Sequence, residues 1–342
     1  METLHSDVVI VGGGPAGATC GYILAKNGKP CILIDKAQFP REKLCGGGLT
    51  PKTQKLIEHI YGKENYKYRP IRNVDLYKED RLLCTFQMRT EMRTVERIAF
   101  DDVLLNEYKN AGGAFIQGKL SKIEERENKI YLTLQDGTRI TCNKLIGADG
   151  ANSVVRKYLQ PGFPKGMLCL EEKCNKKTDR NVQVHFTKKI KDGYLYLFPT
   201  PNGFVAGGGY TKTRLEVIRT ELREKNLSDG ENIKGAMIPM FDRMDYPFRE
   251  NIYLIGDAGG YVDSISGEGL YYAIKTGEIA ASSILNGLDF QMQSSEIVQR
   301  VKKTQRFANK FYNRIVLNTM LFVCSRKVFH NWASKLLNRY LA

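Results

Sequence analysis

The chain has 342 residues, 42% hydrophobic content and a formal net charge of +15 at pH 7. This length is sufficient for two hydrophobic cores, and the basic excess indicates a polyanionic neighbour such as nucleic acid, anionic lipid or a phosphorylated substrate. The eight cysteines include no Cys-x-x-Cys pair and the four histidines lie far apart, so we expect reduced thiols in a cytoplasm and no metal site. The first residues lack the basic flank of a signal peptide, and no stretch reaches the roughly 18 apolar residues that span a bilayer.

The first predicted unit is β-α-β. Residues 7–11 form an apolar run that ends in glycines, which is typical of a parallel strand buried on both faces. A helical stretch follows over residues 16–27, and a second apolar run covers residues 31–34. This order predicts a Rossmann-type nucleotide-binding unit.

A glycine motif lies directly between the first strand and the first helix. Gly12 permits the tight turn, Gly14 permits close approach of a diphosphate, and Gly17 permits close packing of helix against strand. Asp35 ends the second strand, where a carboxylate accepts hydrogen bonds from a ribose and repels a 2′-phosphate. We therefore assign the nucleotide to Gly12, Gly14, Pro15, Ala16, Gly17 and Asp35.

Two later motifs resemble those of FAD enzymes. Gly147-Ala148-Asp149-Gly150, followed by Ser153 and Arg156, resembles the Asp-Gly motif of flavoproteins related to aromatic hydroxylases. The segment 256–260 (GDAGG) resembles their second FAD motif, whose aspartate contacts the ribityl chain and whose following helix faces the flavin. The resemblance implies FAD in an extended pose across the β-α-β unit.

A third set of motifs narrows the family. Residues 41–51 (REKLCGGGLTP) resemble the loop of geranylgeranyl reductases in which a cysteine approaches flavin and substrate, and residues 193–199 (GYLYLFP) are similar to their Tyr-x-Trp-x-Phe-Pro motif. The likeness covers residues 8 to 285 and is greatest to a short bacterial branch associated with colicin M tolerance. Tyr196 stands where tryptophan is usual. The further cofactor residues that we assign are Lys36, Arg41, Cys45, Gly46, Gly47, Arg97, Leu120, Asp149, Gly150, Asp257, Gly267, Gly269 and Leu270.

The FAD-type segments occur early, midway and late in the chain, with strand-rich segments between them, so we predict two interleaved domains. The fold class is α/β, with a Rossmann-type FAD domain and its parallel sheet, a mostly antiparallel substrate-domain sheet, and C-terminal helices. The predicted FAD domain comprises residues 1–73, 97–165 and 250–290. The predicted substrate domain comprises residues 74–96 and 166–249, and basic helices occupy residues 291–342.

Tyr194, Tyr196 and Phe198 alternate along a predicted strand, so their side chains share one face. Such a face, together with Pro199, suits a prenyl or quinone-like tail, although sheet core is the alternative interpretation. The family resemblance implies reduction of a carbon–carbon double bond in an isoprenoid lipid, which needs a hydride from flavin and a proton source. We assign Cys45, Tyr194 and Tyr196 as catalytic, with Cys45 donating a proton, shaping the pocket or only fitting it.

Other functions remain open at this point. An FAD monooxygenase or halogenase has the same fold. However, hydroxylases usually carry Gly-Asp-Ala-Ala-His in the second FAD motif, and the last two residues of that motif are Gly259-Gly260 in this chain. A non-catalytic flavin-binding membrane protein is a third class. Gly207-Gly208-Gly209 follows a strand but lacks the helix and acid of a nicotinamide site, so the electron donor is NAD(P)H bound transiently or a ferredoxin-like protein.

The segment 300–342 contains ten Lys or Arg and no Asp or Glu. Its apolar residues recur at four-residue spacing, as at Val328, Trp332 and Leu336 and at Phe307, Phe311 and Ile315, which predicts amphipathic helices with a cationic face. These helices bind an anionic membrane on its cytoplasmic side, or pack as a cap on the body, or do both. We expect no nucleic-acid partner, because no recognised binding module is present.

Overall fold

The computed structural model describes residues 3–62, 65–161, 166–191, 193–210, 214–239 and 248–342. Its strands are β1 Thr3–Val11, β2 Cys31–Asp35, β3 Gly48–Leu49, β4 Tyr68–Lys78, β5 Arg81–Val95, β6 Ala114–Gln117, β7 Leu120–Arg126, β8 Lys129–Leu134, β9 Arg139–Gly147, β10 Gly166–Cys174, β11 Val182–Phe186, β12 Tyr194–Pro199, β13 Phe204–Tyr210, β14 Lys234–Pro239, β15 Phe248–Arg249 and β16 Ile252–Leu254. Its helices are α1 Pro15–Lys26, α2 Pro51–Tyr61, α3 Arg97–Asn110, α4 Val154–Leu159, α5 Leu215–Glu224, α6 Leu270–Asn286, α7 Phe290–Phe311, α8 Arg314–Cys324 and α9 Lys327–Leu341.

The chain divides into two compact units. Unit 1 comprises Met1–Arg41, Ile98–Lys165 and Pro239–Gln305, and unit 2 comprises Glu42–Arg97, Gly166–Ile238 and Arg306–Ala342. Unit 1 contains one sheet and unit 2 the other. The predicted fold class, with an FAD-type parallel sheet, a mostly antiparallel sheet and C-terminal helices, is confirmed.

The sheet of unit 1 has a parallel core in the order β16-β9-β1-β2-β6. Its strands are nearly continuous apolar runs because helices or further strands cover both faces, and Val9, Ile34 and Leu145 are fully buried between them. Val11 is level with Ile34 on one side and Gly147 on the other. The carboxyl ends of β1, β2, β9 and β16 therefore meet at one edge, where ligands bind in sheets of this type.

Two helices of unit 1 approach closely behind that edge. A Cβ atom at Gly277 of α6 would lie 2.5 Å from the carbonyl oxygen of Ala16 in α1. A Cβ atom at Gly256 would lie 3.0 Å from the Cβ atom of Ala16. Glycine at both positions therefore lets α6 and the turn before it pack directly against the first turn of α1.

The sheet of unit 2 has the order β14-β10-β13-β12-β11-β4-β5-β3, and β11 and β4 pair in parallel. On one face, Leu195 and Leu197 of β12 pack against Ile218 and Leu222 of α5. On the other face, the intervening residues of β12 lie beside Phe186 of β11 and the C-terminal helices. Successive side chains of β12 therefore lie on opposite faces of the sheet, as the two-residue period of a strand requires.

The C-terminal helices α8 and α9 belong to the core of unit 2. Leu321, Ala333 and Leu341 are buried with the side chains of β4 and β5. Asn338 of α9 also donates to the carbonyl oxygen of Gln87 at 3.0 Å and accepts from the N–H of Arg89 at 2.7 Å. These contacts attach α9 to β5 along its buried side.

The observed units differ from the predicted domains in several places, since the predicted substrate-domain residues from Pro239 onwards lie in unit 1, Arg97 lies in unit 2, and two larger segments also differ. Residues 42–73 lie in unit 2 and not with the FAD-binding segments, because β3 pairs with β5 and β4 pairs with β5. The predicted separate C-terminal part is divided, since residues up to Gln305 lie in unit 1 and residues from Arg306 lie in unit 2. Both differences arise from strand pairing and helix packing that bring together residues distant in sequence.

We predict that Gly207→Ala lowers the free energy of unfolding by about 1–3 kcal/mol, because a Cβ atom there would overlap the carbonyl oxygen of Leu170 on the neighbouring strand. Gly209→Ala is the matched control on the same face of β13, since its nearest atom is the flexible Met167 sulfur at 3.2 Å. Urea unfolding followed by circular dichroism measures both. Equal losses for the two variants would contradict this interpretation of β13.

Candidate functional site

The turn between β1 and α1 is built on backbone contacts that only glycine permits. Gly12 has φ +112°, and a Cβ atom there would overlap the carbonyl oxygen of Ala148 at the end of β9. A Cβ atom at Gly17 would overlap the carbonyl oxygen of Gly12. These two glycines therefore set the distance between β1, β9 and α1.

Gly14 has a less crowded environment than Gly12 or Gly17. Among the described residues beyond its chain neighbours, a Cβ atom placed there would approach one atom within 4 Å, a guanidinium nitrogen of Arg41 at 3.2 Å. Gly14 is the N-cap of α1, and no described side chain caps that helix. The unpaired N–H groups and positive end of the helix dipole, with Pro15 and Ala16 in the first turn, form an anion site.

Arg41 adds a cation to this anion site and is itself held in place. Its guanidinium lies 3.3 Å from a carboxylate oxygen of Asp101, whose side chain is 0% exposed. It also lies over the Phe39 ring, 4.8 Å from the ring centroid. A cation fixed beside Gly14 fits the diphosphate of FAD. Sequence reasoning did not assign Asp101 to the site, because nothing local links it to Arg41.

Asp35 lies at the end of β2, level with the glycine turn. One carboxylate oxygen accepts from the N–H of Gly13 at 2.6 Å and the other from the N–H of Ala37 at 2.8 Å. Each carboxylate oxygen can accept a further hydrogen bond, so a ribose hydroxyl can still bind. Lys36 follows with an exposed side chain.

The Asp-Gly motif after β9 is joined to the later GDAGG segment by an arginine. Asp149 accepts from the N–H of Val154 at 2.6 Å and caps α4, and burial raises its pKa above the usual value. Arg156 of α4 donates to the carbonyl oxygens of Asp257 at 3.3 Å and Ala258 at 3.2 Å. Burial lowers the pKa of Arg156, against the opposing effect of the Asp149 and Asp257 carboxylates. Arg156 thereby fixes the second FAD motif relative to the first.

The second FAD motif lies at the start of α6. Asp257 is in a 3-10 turn at Gly256–Gly259, and a Cβ atom at Gly269 would lie 3.4 Å from its carboxylate oxygen. Gly269 is the N-cap of α6 and Leu270 its first residue. The carboxylate and the open helix end are therefore adjacent, which fits hydroxyl and flavin-ring contacts as the resemblance implies.

Most of the assigned residues of unit 1 lie at this single edge of the sheet. Gly150 and Gly267 both have positive φ angles, +76° and +71°, in the connections that follow β9 and precede α6. Leu120 differs, because its side chain belongs to the hydrophobic core with Leu134. Its backbone is paired with Leu134 in the strand ladder of β7 and β8, and its assignment to FAD stays a prediction.

The Cys45 loop lies in unit 2. The Cys45 sulfur accepts from the N–H of Gly47 at 3.4 Å. Gly47 has φ +70°, and a Cβ atom there would overlap the carbonyl oxygen of Val95. A Cβ atom at Gly46 would lie 2.9 Å from the Phe198 ring. The glycines thus bring the loop of Cys45 against the aromatic residues of β12.

The predicted shared face of Tyr194, Tyr196 and Phe198 is confirmed. The ring centroids of Tyr194 and Tyr196 are 6.2 Å apart, and those of Tyr196 and Phe198 are 5.5 Å apart. Tyr194 and Phe198 are half-buried, whereas Tyr196 is 7% exposed. Pro199 ends the strand, and its carbonyl oxygen accepts from the Thr94 hydroxyl at 2.5 Å. The aromatic face (Tyr194, Tyr196 and Phe198) therefore lies beside the loop of Cys45 within unit 2.

Two buried polar residues adjoin the aromatic face and were missed by sequence reasoning. The Tyr196 hydroxyl donates to Glu171, and the Cys169 sulfur lies 2.9 Å from the Tyr196 oxygen. Burial raises the pKa of all three groups. Strand alternation places Cys169 and Glu171 on one face of β10, but only the pairing of β10, β13 and β12 brings that face to Tyr196.

Arg97 is the first residue of α3 and the last residue of the segment Glu42–Arg97 of unit 2. Its positive charge opposes the rise in the pKa of Glu171 that burial causes. Lys43 of the Cys45 loop has the same effect. Two cations of unit 2 therefore flank the same buried acid. The assignment of Arg97 to FAD stays a prediction.

Comparisons with known proteins agree with this geometry. A family model described as an FAD binding domain matches residues 5–228. An uncharacterized protein of Methanosarcina barkeri is 32% identical, over 91% of this chain and 85% of its own. A menaquinone reductase of Mycobacterium tuberculosis is 27% identical, over 81% of this chain and 76% of its own. A crystal structure of a geranylgeranyl bacteriochlorophyll reductase-like protein from Thermoplasma acidophilum has a TM-score of 0.81 at 18% identity, covering 95% of this chain and 93% of that chain.

These findings confirm the predicted family resemblance, and FAD is the cofactor. The glycine turn, the open end of α1 and the Arg41 cation fit a diphosphate, while Asp35 and Asp257 provide acceptors for hydroxyl groups. The assignment of individual residues of unit 1 to FAD stays a prediction with which this geometry is compatible, and Asp101 and Arg156 support the positions of those residues.

We predict that Gly14→Val lowers the affinity for FAD by about tenfold or more, because its side chain fills the space that the diphosphate needs. The cofactor-free variant should lose little thermal stability, because the neighbour within 4 Å of a Cβ atom there among the described residues is the end of the flexible Arg41 side chain, which can move aside. Gly12→Ala is the contrasting variant and should lower the stability of the cofactor-free protein through its overlap with Ala148. Flavin fluorescence titration and thermal unfolding measure the two effects. Wild-type FAD affinity in Gly14→Val would exclude this diphosphate site.

Proposed function

We propose that this chain, which belongs to the FAD-binding domain family, is an FAD-dependent oxidoreductase that reduces carbon–carbon double bonds of an isoprenoid lipid. The observation that carries the proposal is the aromatic face of unit 2, which lies beside the loop of Cys45. Such a face suits an apolar, planar or chain-like substrate, and a prenyl tail meets that requirement. The likeness to a menaquinone reductase supports the same substrate class.

In the proposed reaction, different residues bind FAD and contact the substrate. Bound FAD supplies two-electron chemistry by hydride transfer from its reduced form. Arg41 and the start of α1 hold the diphosphate, and Asp35 and Asp257 bind hydroxyl groups. Tyr194, Tyr196 and Phe198 exclude water around the substrate, which favours hydride transfer to an unactivated alkene. Cys45 donates a proton to the substrate or shapes its pocket.

The electron donor is NAD(P)H or a ferredoxin-like protein. Gly207, Gly208 and Gly209 lie inside strand β13 and not at a strand-to-helix turn, so they form no nucleotide site. Anaerobic mixing of the oxidised protein with NADPH, and separately with reduced ferredoxin, distinguishes the two donors by the loss of flavin absorbance.

We predict that the anaerobically reduced protein is reoxidised by geranylgeranyl diphosphate, or by menaquinone through its side chain, with a product two mass units heavier per saturated bond after any quinol has been reoxidised to the quinone in air. Cys45→Ala should bind FAD normally but lose turnover by about 10²-fold or more, because it removes the thiol that donates a proton or shapes the pocket in the proposed reaction. Cys174→Ala, at the end of β10, is the matched control and should keep full turnover. A hydroxylated or halogenated product that forms only in the presence of oxygen would favour a monooxygenase or halogenase. The absence of turnover both with the lipids and with oxygen would favour a non-catalytic flavin protein.

We further propose that the C-terminal helices place the protein peripherally on the cytoplasmic face of an anionic membrane. No helix among the described residues is long and apolar enough to cross a bilayer. The predicted apolar set of α9 faces outward, since Val328 is 88% exposed and Trp332 57% exposed, and Ile315 of α8 is 78% exposed. Leu336 and Phe322 are exposed as well. These five side chains form the C-terminal apolar surface.

Exposed basic side chains accompany this surface on the same helices. Arg314 and Arg326 begin or precede its helices, and Lys327, Lys335 and Arg339 lie on α9. The opposite side of α9 is occupied, because Ala333 and Leu341 pack on the sheet. Exposed apolar and cationic side chains on the same helices match an anionic lipid surface, where each near-surface charge adds about 1 kcal/mol. A membrane is also where an isoprenoid substrate resides.

We predict that the protein floats with vesicles containing phosphatidylglycerol and floats less at high salt, because part of the attraction is electrostatic. The double variant Val328→Gln/Trp332→Gln should remain in the soluble fraction. Met292→Gln, an equally exposed apolar residue of α7, is the control and should float like wild type. Recovery of wild type in the soluble fraction would contradict the membrane proposal without affecting the reductase proposal.

A further inference from the structure

Two free cysteines from opposite ends of the chain lie together in the core of unit 2. Cys84 lies on β5, and Cys324 is the last residue of α8, a helix that lies against β5. Cys84 is 4% exposed and belongs to the hydrophobic core under the C-terminal helices. Cys324 is half-buried and packs against the same core. A hydrogen bond joins the two thiols, so their sulfur atoms are in direct contact.

The two thiols differ in exposure and in acidity. Cys84 is almost enclosed by the core, whereas Cys324 lies at the end of a helix and is partly accessible. The hydrogen bond from Cys84 lowers the pKa of Cys324, against the effect of burial. The same hydrogen bond and burial raise the pKa of Cys84. Because the thiolate is the nucleophile, Cys324 is the thiol that reacts first with a reagent from solvent.

Helix α8 has few other attachments to the sheet of unit 2. Of its residues, all of which the structure describes, Leu321 alone is buried. Leu317 and Cys324 are half-buried against the core, while Ile315 and Phe322 are exposed. A helix with so little buried apolar surface opens at a low free energy relative to the core. A covalent bond from Cys324 to β5 would therefore add substantially to the attachment of α8.

We propose that Cys84 and Cys324 are a redox-active pair that forms a disulfide on reaction with hydrogen peroxide, and that this bond fastens α8 to the sheet of unit 2. The Cys324 thiolate attacks one peroxide oxygen, so that an S–O bond forms, the O–O bond breaks and hydroxide leaves as water after taking up a proton. The Cys84 sulfur then attacks the Cys324 sulfur. The S–S bond forms, the S–O bond breaks, and the hydroxide leaves with the Cys84 proton as a second water. Two thiols are oxidised by two electrons, and one peroxide is reduced to two waters.

This pair has the arrangement that redox-sensing thiols need, an accessible thiol of lowered pKa beside a second thiol that resolves its sulfenic acid. Other cysteines of the chain differ from it. Cys20 and Cys31 of unit 1 are both buried, and burial raises the pKa of Cys31 to about 11. Cys174 is half-buried at the end of β10, and burial raises its pKa to about 11 as well. In a reducing environment such a bond is transient, as a sensor requires.

The test treats the FAD-loaded wild-type protein with hydrogen peroxide, blocks the remaining thiols with iodoacetamide and maps the peptides by mass spectrometry. A peptide pair linked through Cys84 and Cys324 should appear, lighter by two hydrogen atoms than the reduced peptides together, and dithiothreitol should separate it. Cys84→Ala should leave Cys324 as a sulfenic acid that dimedone traps, whereas Cys324→Ala should leave Cys84 reduced. Cys174→Ser is the matched control and should form the linked pair as wild type does.

A second measurement follows the attachment of α8. Amide hydrogen exchange over Arg314–Cys324 should slow by about tenfold when wild type is oxidised, because the new bond restrains local opening of the helix. The midpoint of thermal unfolding should rise by about 5 °C or more, because the bond closes a long loop in the unfolded chain. Cys84→Ala treated with peroxide in the same way should show neither change.

Each outcome decides one part of the proposal. Absence of the linked peptide in peroxide-treated wild type overturns it, and so does linkage of Cys324 to a different cysteine. A linked pair without slower exchange in α8 overturns the attachment of that helix, and a sulfenic acid on Cys84 in Cys324→Ala overturns the order of reaction. The linked pair, its reversal by dithiothreitol and slower exchange together support the proposal. Because none of these measurements needs turnover with a lipid, failure of the reductase proposal leaves this inference unaffected.

Discussion

Both units of the molecule depend on close backbone approach at glycine. At Gly12 and Gly17 the missing side chains let β1, β9 and α1 meet, so that the open end of α1 lies at the edge where four parallel strands terminate. At Gly207 the missing side chain lets Glu171 and Tyr196 meet across an intervening strand. Side chains at these positions would overlap backbone atoms that belong to other strands or turns and cannot move independently. The cofactor site and the polar group beneath the aromatic face are therefore both consequences of the same steric constraint.

The two units differ in their electrostatics. The site in unit 1 uses fixed positive charge, from Arg41 supported by the buried Asp101 and from the dipole of α1, which suits a cofactor with a diphosphate. The aromatic face of unit 2 adjoins Cys169, Glu171 and Tyr196, and burial raises the pKa of all three groups. Fixed positive charge therefore characterises the cofactor site of unit 1, whereas burial disfavours the charged forms of the groups beside the aromatic face of unit 2.

Part of the basic excess of the chain lies on the C-terminal helices. The apolar stripe of α9 that contains Val328 and Trp332 faces outward, while Ala333 and Leu341 on its other side complete the core of unit 2. One helix therefore stabilises the sheet of unit 2 and also exposes apolar and basic side chains.

The sequence by itself determined the β-α-β unit, the glycine turn, FAD as cofactor and the alternation that aligns Tyr194, Tyr196 and Phe198. Each of these is encoded within a few residues, by period, by turn chemistry or by a motif. Tertiary structure alone decided the support of Arg41 by Asp101, the meeting of Glu171 with Tyr196, the place of the Cys45 loop in unit 2 and the outward direction of Trp332. These depend on which strands pair and which helix face packs, and such long-range choices are made by the whole core, so that no local pattern of residues specifies them.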